Sequence, residues 1–144
     1  MKILFDTSAL VAALVEKHPN HPWAFPWLQK AKAQAFTGFV AAHSIAELYS
    51  VLTTLPIRPR ISSASAGQMI KRDIVDQLDL VALSKEDYAT VIEYLSGMGI
   101  VGGVTYDALI LQAAIIANVD QIVTLNADDF RRIRPELVNK IVSP

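Results

Sequence analysis

The 144-residue chain contains no cysteine, so it has no disulfide bond, no thiolate metal ligand and no cysteine nucleophile. It also lacks a long uncharged apolar run, and we therefore expect no membrane span, no signal peptide and a cytoplasmic location. A net charge of −1 argues against a generally basic nucleic-acid-binding surface, although an acidic site could cancel a local basic patch. Repeats, low-complexity tracts and composition shifts are missing too, so we expect residues 1–144 to form a single domain.

The chain is rich in apolar residues, at 52% of the total, and their arrangement near the start is informative. The run Ile3-Leu4-Phe5 has no polar alternation, which predicts a strand covered on both faces, as in a parallel sheet. Asp6 follows directly, and Thr7 or Ser8 could cap the apolar helix that comes next. Asp6 is either an active-site carboxylate at the carboxyl end of a strand or simply a helix cap.

Strand and helix patterns alternate along the rest of the chain. This alternation predicts a three-layer α/β/α sandwich with a mainly parallel five-stranded sheet and right-handed crossovers. Helices are expected to start near Trp23, Ala42, Ser63, Ser84 and Val104, with Pro26 in the first turn of its helix. The later strands are expected at residues 35–40, 78–83 and 121–124, with a short edge strand within 138–142.

Five oxygen-bearing side chains should meet at one edge of this sheet. Asp6 ends a strand, Glu47 and Asp107 lie near the starts of helices, and Asn126 and Asp129 follow a strand. The carboxyl ends of parallel strands and the amino ends of the connecting helices share one edge. Carboxylates gathered there would repel one another without a compensating cation. Oxygen ligands suit Mg²⁺ or Mn²⁺, and we expect no histidine in this group, so the chemistry that fits best is metal-assisted phosphodiester hydrolysis.

Structural explanations remain open for several of these residues. Ser44 and Glu47 have the spacing of a helix capping box, and Asp107 could simply complement a helix dipole. His18 and His21 could ligate a metal, but two loop histidines without a third partner more often face solvent. Both tryptophans are interpreted as packing residues.

Four short motifs, taken together and in order, resemble the PIN domain family. They are Asp6-Thr7-Ser8, Ser44-x-x-Glu47, Tyr106-Asp107-Ala108 and Thr124-x-Asn126-x-x-Asp129-Phe130. The similarity covers nearly the whole chain and is greatest to VapC-type toxin ribonucleases of bacterial toxin–antitoxin pairs. It implies a PIN-like sandwich, dependence on Mg²⁺ or Mn²⁺, endonucleolytic cleavage of RNA, and a cognate antitoxin as partner.

The resemblance also implies roles for individual residues. Asp6, Glu47 and Asp107 match the three acidic metal-site residues of the family. Family members often have an aspartate where this chain has Asn126, so Asp129 becomes the expected fourth acid, with Asn126 as a neutral metal ligand. Asp128 is the weaker choice. By the same comparison, Thr124 and Ser8 are expected to orient an acid through their hydroxyl groups.

Three other functions share some of these sequence features. A PIN nuclease acting in RNA processing, outside any toxin pair, would have the same fold and site. A receiver-like signalling domain would need an aspartate at the end of the third strand, where Ala82-Leu83-Ser84 offers none. A dehalogenase-like phosphatase would need an aspartate in place of Ser8. Apolar helices near the N-terminus suggest a homodimer and a groove for an antitoxin helix.

Overall fold

A computed structural model describes residues 1–144. Its five strands form one sheet in which every neighbouring pair is parallel. The strands are β1 (Lys2–Phe5), β2 (Thr37–Ala41), β3 (Asp79–Val81), β4 (Gln121–Val123) and β5 (Ile141–Val142). Their order in the sheet is β3-β2-β1-β4-β5, so the first strand lies in the middle. The predicted five-stranded parallel sheet is confirmed.

Seven α-helices connect and cover these strands. They are α1 (Thr7–Leu14), α2 (His21–Lys32), α3 (Ala42–Thr54), α4 (Ser63–Ile70), α5 (Lys85–Met98), α6 (Val104–Ala117) and α7 (Ala127–Ile133). Helix α4 continues into a π-helical turn, Lys71–Val75, and a 3₁₀ helix, Pro135–Lys140, precedes β5. None of these helices combines the length and the apolar character needed to cross a lipid bilayer.

The hydrophobic core lies in two layers, one on each face of the sheet. Ile3 and Phe5 belong to the cluster formed with α1 to α4, whereas Leu4 belongs to the cluster formed with α5 to α7. All three side chains are buried, which confirms that β1 is covered on both faces. The unbroken apolar run of β1 is therefore explained by its central position.

Some local predictions were wrong. Pro26 lies inside α2 rather than in its first turn, which holds Pro22 instead. On α5 the large side chains of Tyr88 and Ile92 are 44% and 53% exposed, and the helix packs through Val91 and Leu95 instead. The expected edge strand within residues 138–142 is present, but it is only two residues long, because the preceding residues form the 3₁₀ helix.

The sheet brings distant parts of the chain to one edge. Phe5 of β1 is in register with Val123 of β4, and the Asp6 amide donates a hydrogen bond of 2.9 Å to the Val123 carbonyl. The residues that follow these two strands, Asp6 and Thr124, are therefore neighbours. Helix α3 follows β2 directly at the same edge, so its first turns also face this position.

Candidate active site

Asp6 is the most deeply buried carboxylate at this edge, with 1% of its surface exposed. It occupies the N-cap position of α1, yet its side chain makes no capping hydrogen bond. The expectation that Thr7 or Ser8 would cap this helix was therefore wrong. Burial raises the pKa of Asp6, although hydrogen bonds from the Ser8 and Thr124 hydroxyls act in the opposite direction.

Two hydroxyl groups hold one oxygen of Asp6. Ser8 Oγ donates to Asp6 Oδ2 at 2.5 Å, and Thr124 Oγ1 donates to the same oxygen at 2.8 Å. Each hydroxyl in turn accepts a backbone N–H from the loop after β4: Leu125 N to Ser8 Oγ at 3.0 Å, and Asn126 N to Thr124 Oγ1 at 2.9 Å. Because a hydroxyl has a single proton, these backbone donors direct both protons at the carboxylate.

Glu47 lies in the second turn of α3 and is held from two sides. Its Oε1 is 2.6 Å from His43 Nε2, one helical turn earlier, and 3.1 Å from Thr7 Oγ1. His43 is the main cause of a lowered pKa for Glu47, and the Thr7 hydroxyl lowers it further, while partial burial opposes both. Glu47 is therefore ionised at neutral pH and fixed in direction.

The capping-box interpretation of Ser44 and Glu47 was wrong. Helix α3 starts at Ala42, so Ser44 is already its third residue and cannot be the cap. The buried Ser44 hydroxyl lies 2.9 Å from Thr7 Oγ1, which links α3 to the start of α1. Glu47 makes no contact with the backbone of its own helix start and points across to α1 instead.

His43 is the residue that sequence reasoning missed, since no histidine was expected in this group. Its Nε2 atom is buried and has no polar partner other than Glu47. The signal was present in the sequence, because positions four apart lie on the same face of a helix. The other two histidines do not join the site: His21 stacks on Phe25, and His18 accepts the Asn20 backbone N–H.

Asp107 shows most clearly that the acids influence one another. It lies in the first turn of α6, where the helix dipole alone would lower the pKa of a carboxylate. Its pKa is instead raised to about 7, first by partial burial and then by the charges of Asp6, Asp129 and Glu47, with His43 opposing them. Dipole complementation therefore does not account for Asp107.

The two candidate acids of α7 behave differently. The charge of Asp129 reaches Asp107 strongly enough to raise its pKa, and Asp129 also pairs with Arg132 at 3.5 Å. The side chain of Asp128 is fully exposed and pairs with Arg131 at 3.5 Å. Asn126 is the exposed N-cap residue of α7, but its side chain makes no capping hydrogen bond. Asp129 thus shares the electrostatic neighbourhood of the other acids, and Asp128 does not.

The model of the PIN domain family matches residues 3–135, which is nearly the whole chain and includes all of these acids. The chain belongs to the PIN domain family. Among characterised relatives, ribonuclease VapC27 of Mycobacterium tuberculosis is 32% identical over 109 residues, covering 76% of this chain and 74% of the relative. Ribonuclease VapC40 of the same species is 33% identical over 105 residues, covering 73% and 72%.

Solved structures share this PIN fold. VapBC2 of Rickettsia felis, bound to a promoter DNA fragment, has a TM-score of 0.68 at 21% identity, over 100% of this chain and 99% of that one. VapC20 of M. tuberculosis, described as a sarcin-ricin loop cleaving toxin, has a TM-score of 0.68 at 16% identity, over 88% and 92%. FitAB bound to the IR36 DNA fragment has a TM-score of 0.67 at 15% identity, over 99% and 94%.

The chemistry of the PIN site residues fits a hard cation. The donors are carboxylate oxygens, and burial together with the charges of Asp6, Asp129 and Glu47 raises the pKa of Asp107 to about 7. A bound cation would favour the ionised form of this carboxylate. No three carboxylate or imidazole groups converge as a ready-made metal cage. Asp6 Oδ2 accepts hydrogen bonds from two hydroxyl groups and Glu47 Oε1 contacts His43, so a cation at this site would be held by the remaining carboxylate oxygens.

Proposed function

We propose that this PIN protein is a metal-dependent endoribonuclease that hydrolyses phosphodiester bonds of RNA. The observation that carries the proposal is the acidic group at the carboxyl edge of the sheet, in which burial and then the charges of the other acids raise the pKa of Asp107 to about 7. Such strongly perturbed carboxylates are typical of catalytic and metal-binding sites. The ribonuclease names of the two M. tuberculosis relatives support the same chemistry.

Asp6, Glu47, Asp107 and Asp129 would hold Mg²⁺ or Mn²⁺. When bound, such a cation lowers the pKa of a coordinated water and offsets the charge that develops on the phosphate. The remaining residues position the acids: Ser8 and Thr124 fix the direction of Asp6, while His43 and Thr7 keep Glu47 ionised and oriented. Rigid support of this kind matters because small displacements of catalytic groups cost large factors in rate.

We assign the fourth acidic position to Asp129, with Asn126 as a neutral neighbour. The influence of Asp129 on the pKa of Asp107 supports this assignment. Asn126→Asp provides a test by calorimetric titration with Mn²⁺. Unchanged affinity is expected if Asn126 faces away from the ion, whereas clearly tighter binding would transfer the fourth position to residue 126.

The activity can be tested with purified protein and total RNA. Cleavage fragments with defined ends are expected with Mg²⁺ or Mn²⁺ and not with EDTA, and mapping those ends would reveal the target sequence. Asp107→Asn should remove the activity, while Asp128→Asn is a matched control because its side chain is fully exposed. RNA cleavage by Asp107→Asn at the same rate as by an active Asp128→Asn control would contradict the proposal.

We also propose that the protein is a toxin, acting in the cytoplasm as a homodimer and held inactive by a cognate antitoxin. The names of the VapC relatives and the VapBC2 and FitAB complexes among the structural neighbours support the toxin–antitoxin part of this proposal. Co-purification with the product of a small adjacent gene, and loss of RNase activity in that complex, are the expected results. A PIN nuclease of RNA processing would have no such neighbour, and a monomer in light scattering would contradict the dimer.

A further inference from the structure

We propose that Tyr106 and His43 form a stacking platform for a nucleobase of the RNA, immediately beside the acidic site. The proposal rests on the endoribonuclease function proposed above and extends it to a specificity-determining subsite. The two rings lie 6.0 Å apart between centroids, with an angle of 26° between their planes. This is the range of offset aromatic stacking.

Both rings lie next to acidic residues of the candidate site. His43 contacts Glu47 across 2.6 Å, and Tyr106 directly precedes Asp107 at the start of α6. The pair therefore bridges α3 and α6, the two helices that carry these acids. A phosphate bound near the carboxylates would have its flanking nucleotide within reach of the tyrosine ring.

The tyrosine ring is available to a ligand. Tyr106 is 56% exposed, although a large aromatic side chain is costly to leave in water when it could pack. Gly102 and Gly103, which precede α6, carry no side chain, and a Cβ atom at either position would have nothing within 4 Å. One ring face is supported by His43, and the exposed part of the tyrosine side chain is open to an approaching base.

Stacking on an exposed aromatic ring is a general mode of single-stranded RNA recognition. Each base stacked on an aromatic side chain contributes about 1–3 kcal/mol, which corresponds to about 5- to 150-fold in affinity. Stacking tolerates different bases, so the subsite selects for an unpaired nucleotide at one position rather than for one base identity. The platform thereby favours single-stranded or looped RNA at the scissile bond.

The test uses short RNA oligonucleotides that span a mapped cleavage site, each with one base replaced by an abasic ribose. Tyr106→Leu should raise KM at least about 5-fold with little change in kcat, and Tyr106→Phe should behave as wild type. The penalty should disappear on the one abasic substrate whose missing base is the stacked one. Tyr88→Leu, which removes another exposed ring from α5, is the matched control and should cleave as wild type.

A binding measurement separates this proposal from the nuclease proposal. In a catalytically inactive Asp6→Asn background, Tyr106→Leu should weaken binding of the intact oligonucleotide by the same factor as KM. Three results would overturn the subsite and leave the nuclease proposal intact. The first is a Tyr106→Leu variant with unchanged KM and unchanged RNA binding. The others are a Tyr106→Leu variant that loses only kcat, and one whose KM penalty is equal on every abasic substrate. Wild-type protein that neither cleaves nor binds RNA would overturn both proposals.

Discussion

Replacing Asp107 by asparagine should stabilise the metal-free protein at neutral and alkaline pH. The side chain keeps its shape in this variant but loses a charge that burial and the charges of Asp6, Asp129 and Glu47 disfavour. Activity should nevertheless be lost, because the same charge would serve the metal. Opposite effects on stability and activity are the signature of a functional carboxylate.

The sign and size of the effect follow from the raised pKa. Below pH 3.8 Asp107 is protonated in both the folded and the unfolded state, so it does not oppose folding. Between pH 3.8 and about 7 the unfolded state ionises more readily than the folded state, and the loss of folding stability grows. Above that range the loss is complete. A shift of this size would correspond to about 4 kcal/mol for a fully desolvated group. Asp107 is only half-buried, and solvent screening reduces the expected gain from Asp107→Asn to about 1–2 kcal/mol. In a domain of this size this is an increase in Tm of about 3–8 °C.

Urea unfolding in EDTA, followed from pH 4 to pH 8, measures this effect. The gain from Asp107→Asn should be smallest near pH 4 and level off above pH 7, and excess Mg²⁺ should favour the wild type instead. Asp128→Asn, at a fully exposed position, should show no such pH-dependent gain. If Asp107→Asn were less stable than wild type at pH 8, the carboxylate would be a stabilising helix-dipole partner and the reasoning would be refuted.

Three further predictions concern the residues around the acids. Asp129→Asn should weaken Mn²⁺ binding and RNA cleavage, measured by titration calorimetry and gel assay, whereas Asp128→Asn should change neither; similar effects of both variants would count against Asp129. Thr124→Val should lower kcat by about 10-fold or more, because it removes a hydroxyl that directs Asp6, and wild-type kcat would show that this bond is dispensable. His43→Asn should raise the pKa of its glutamate partner and move the acidic limb of the pH–rate profile to higher pH; an unmoved limb would exclude this electrostatic role.

The fold was predictable because the sequence patterns that specify it do not depend on the details of side-chain packing. The apolar run of β1 and the alternation of strands and helices determine a parallel sheet, and the sheet brings Asp6 and Thr124 to one edge. Helix α6 begins at the predicted Val104, and Asn118 follows its last residue in the left-handed conformation. These features depend on hydrophobic pattern and backbone geometry, both of which are local in the sequence.

The errors arose where tertiary contacts override local preference. Ser44 has the spacing of a capping box, but the helix had already begun at Ala42, and its hydroxyl contacts Thr7 from another helix. Such contacts between helices depend on how the helices pack, which a single sequence does not specify.

His43 was missed for a different reason. His18 and His21 were the histidines considered as metal ligands, with solvent exposure as the expected alternative, and His43 was not considered. In the structure His18 accepts the Asn20 backbone N–H and His21 stacks on Phe25. The relevant signal was the four-residue spacing of His43 and Glu47 on one helix face. Its meaning depends on knowing that this face of α3 turns toward the sheet edge.

The most direct test of the whole account is RNA cleavage by Asp6→Asn in the presence of Mg²⁺ or Mn²⁺. Asp6 is the buried acid on which the Ser8 and Thr124 hydroxyls converge, and the variant should fold while its cleavage of RNA falls by orders of magnitude. Wild-type protein in EDTA should be equally inactive. Full cleavage of RNA by a folded Asp6→Asn protein would contradict the account.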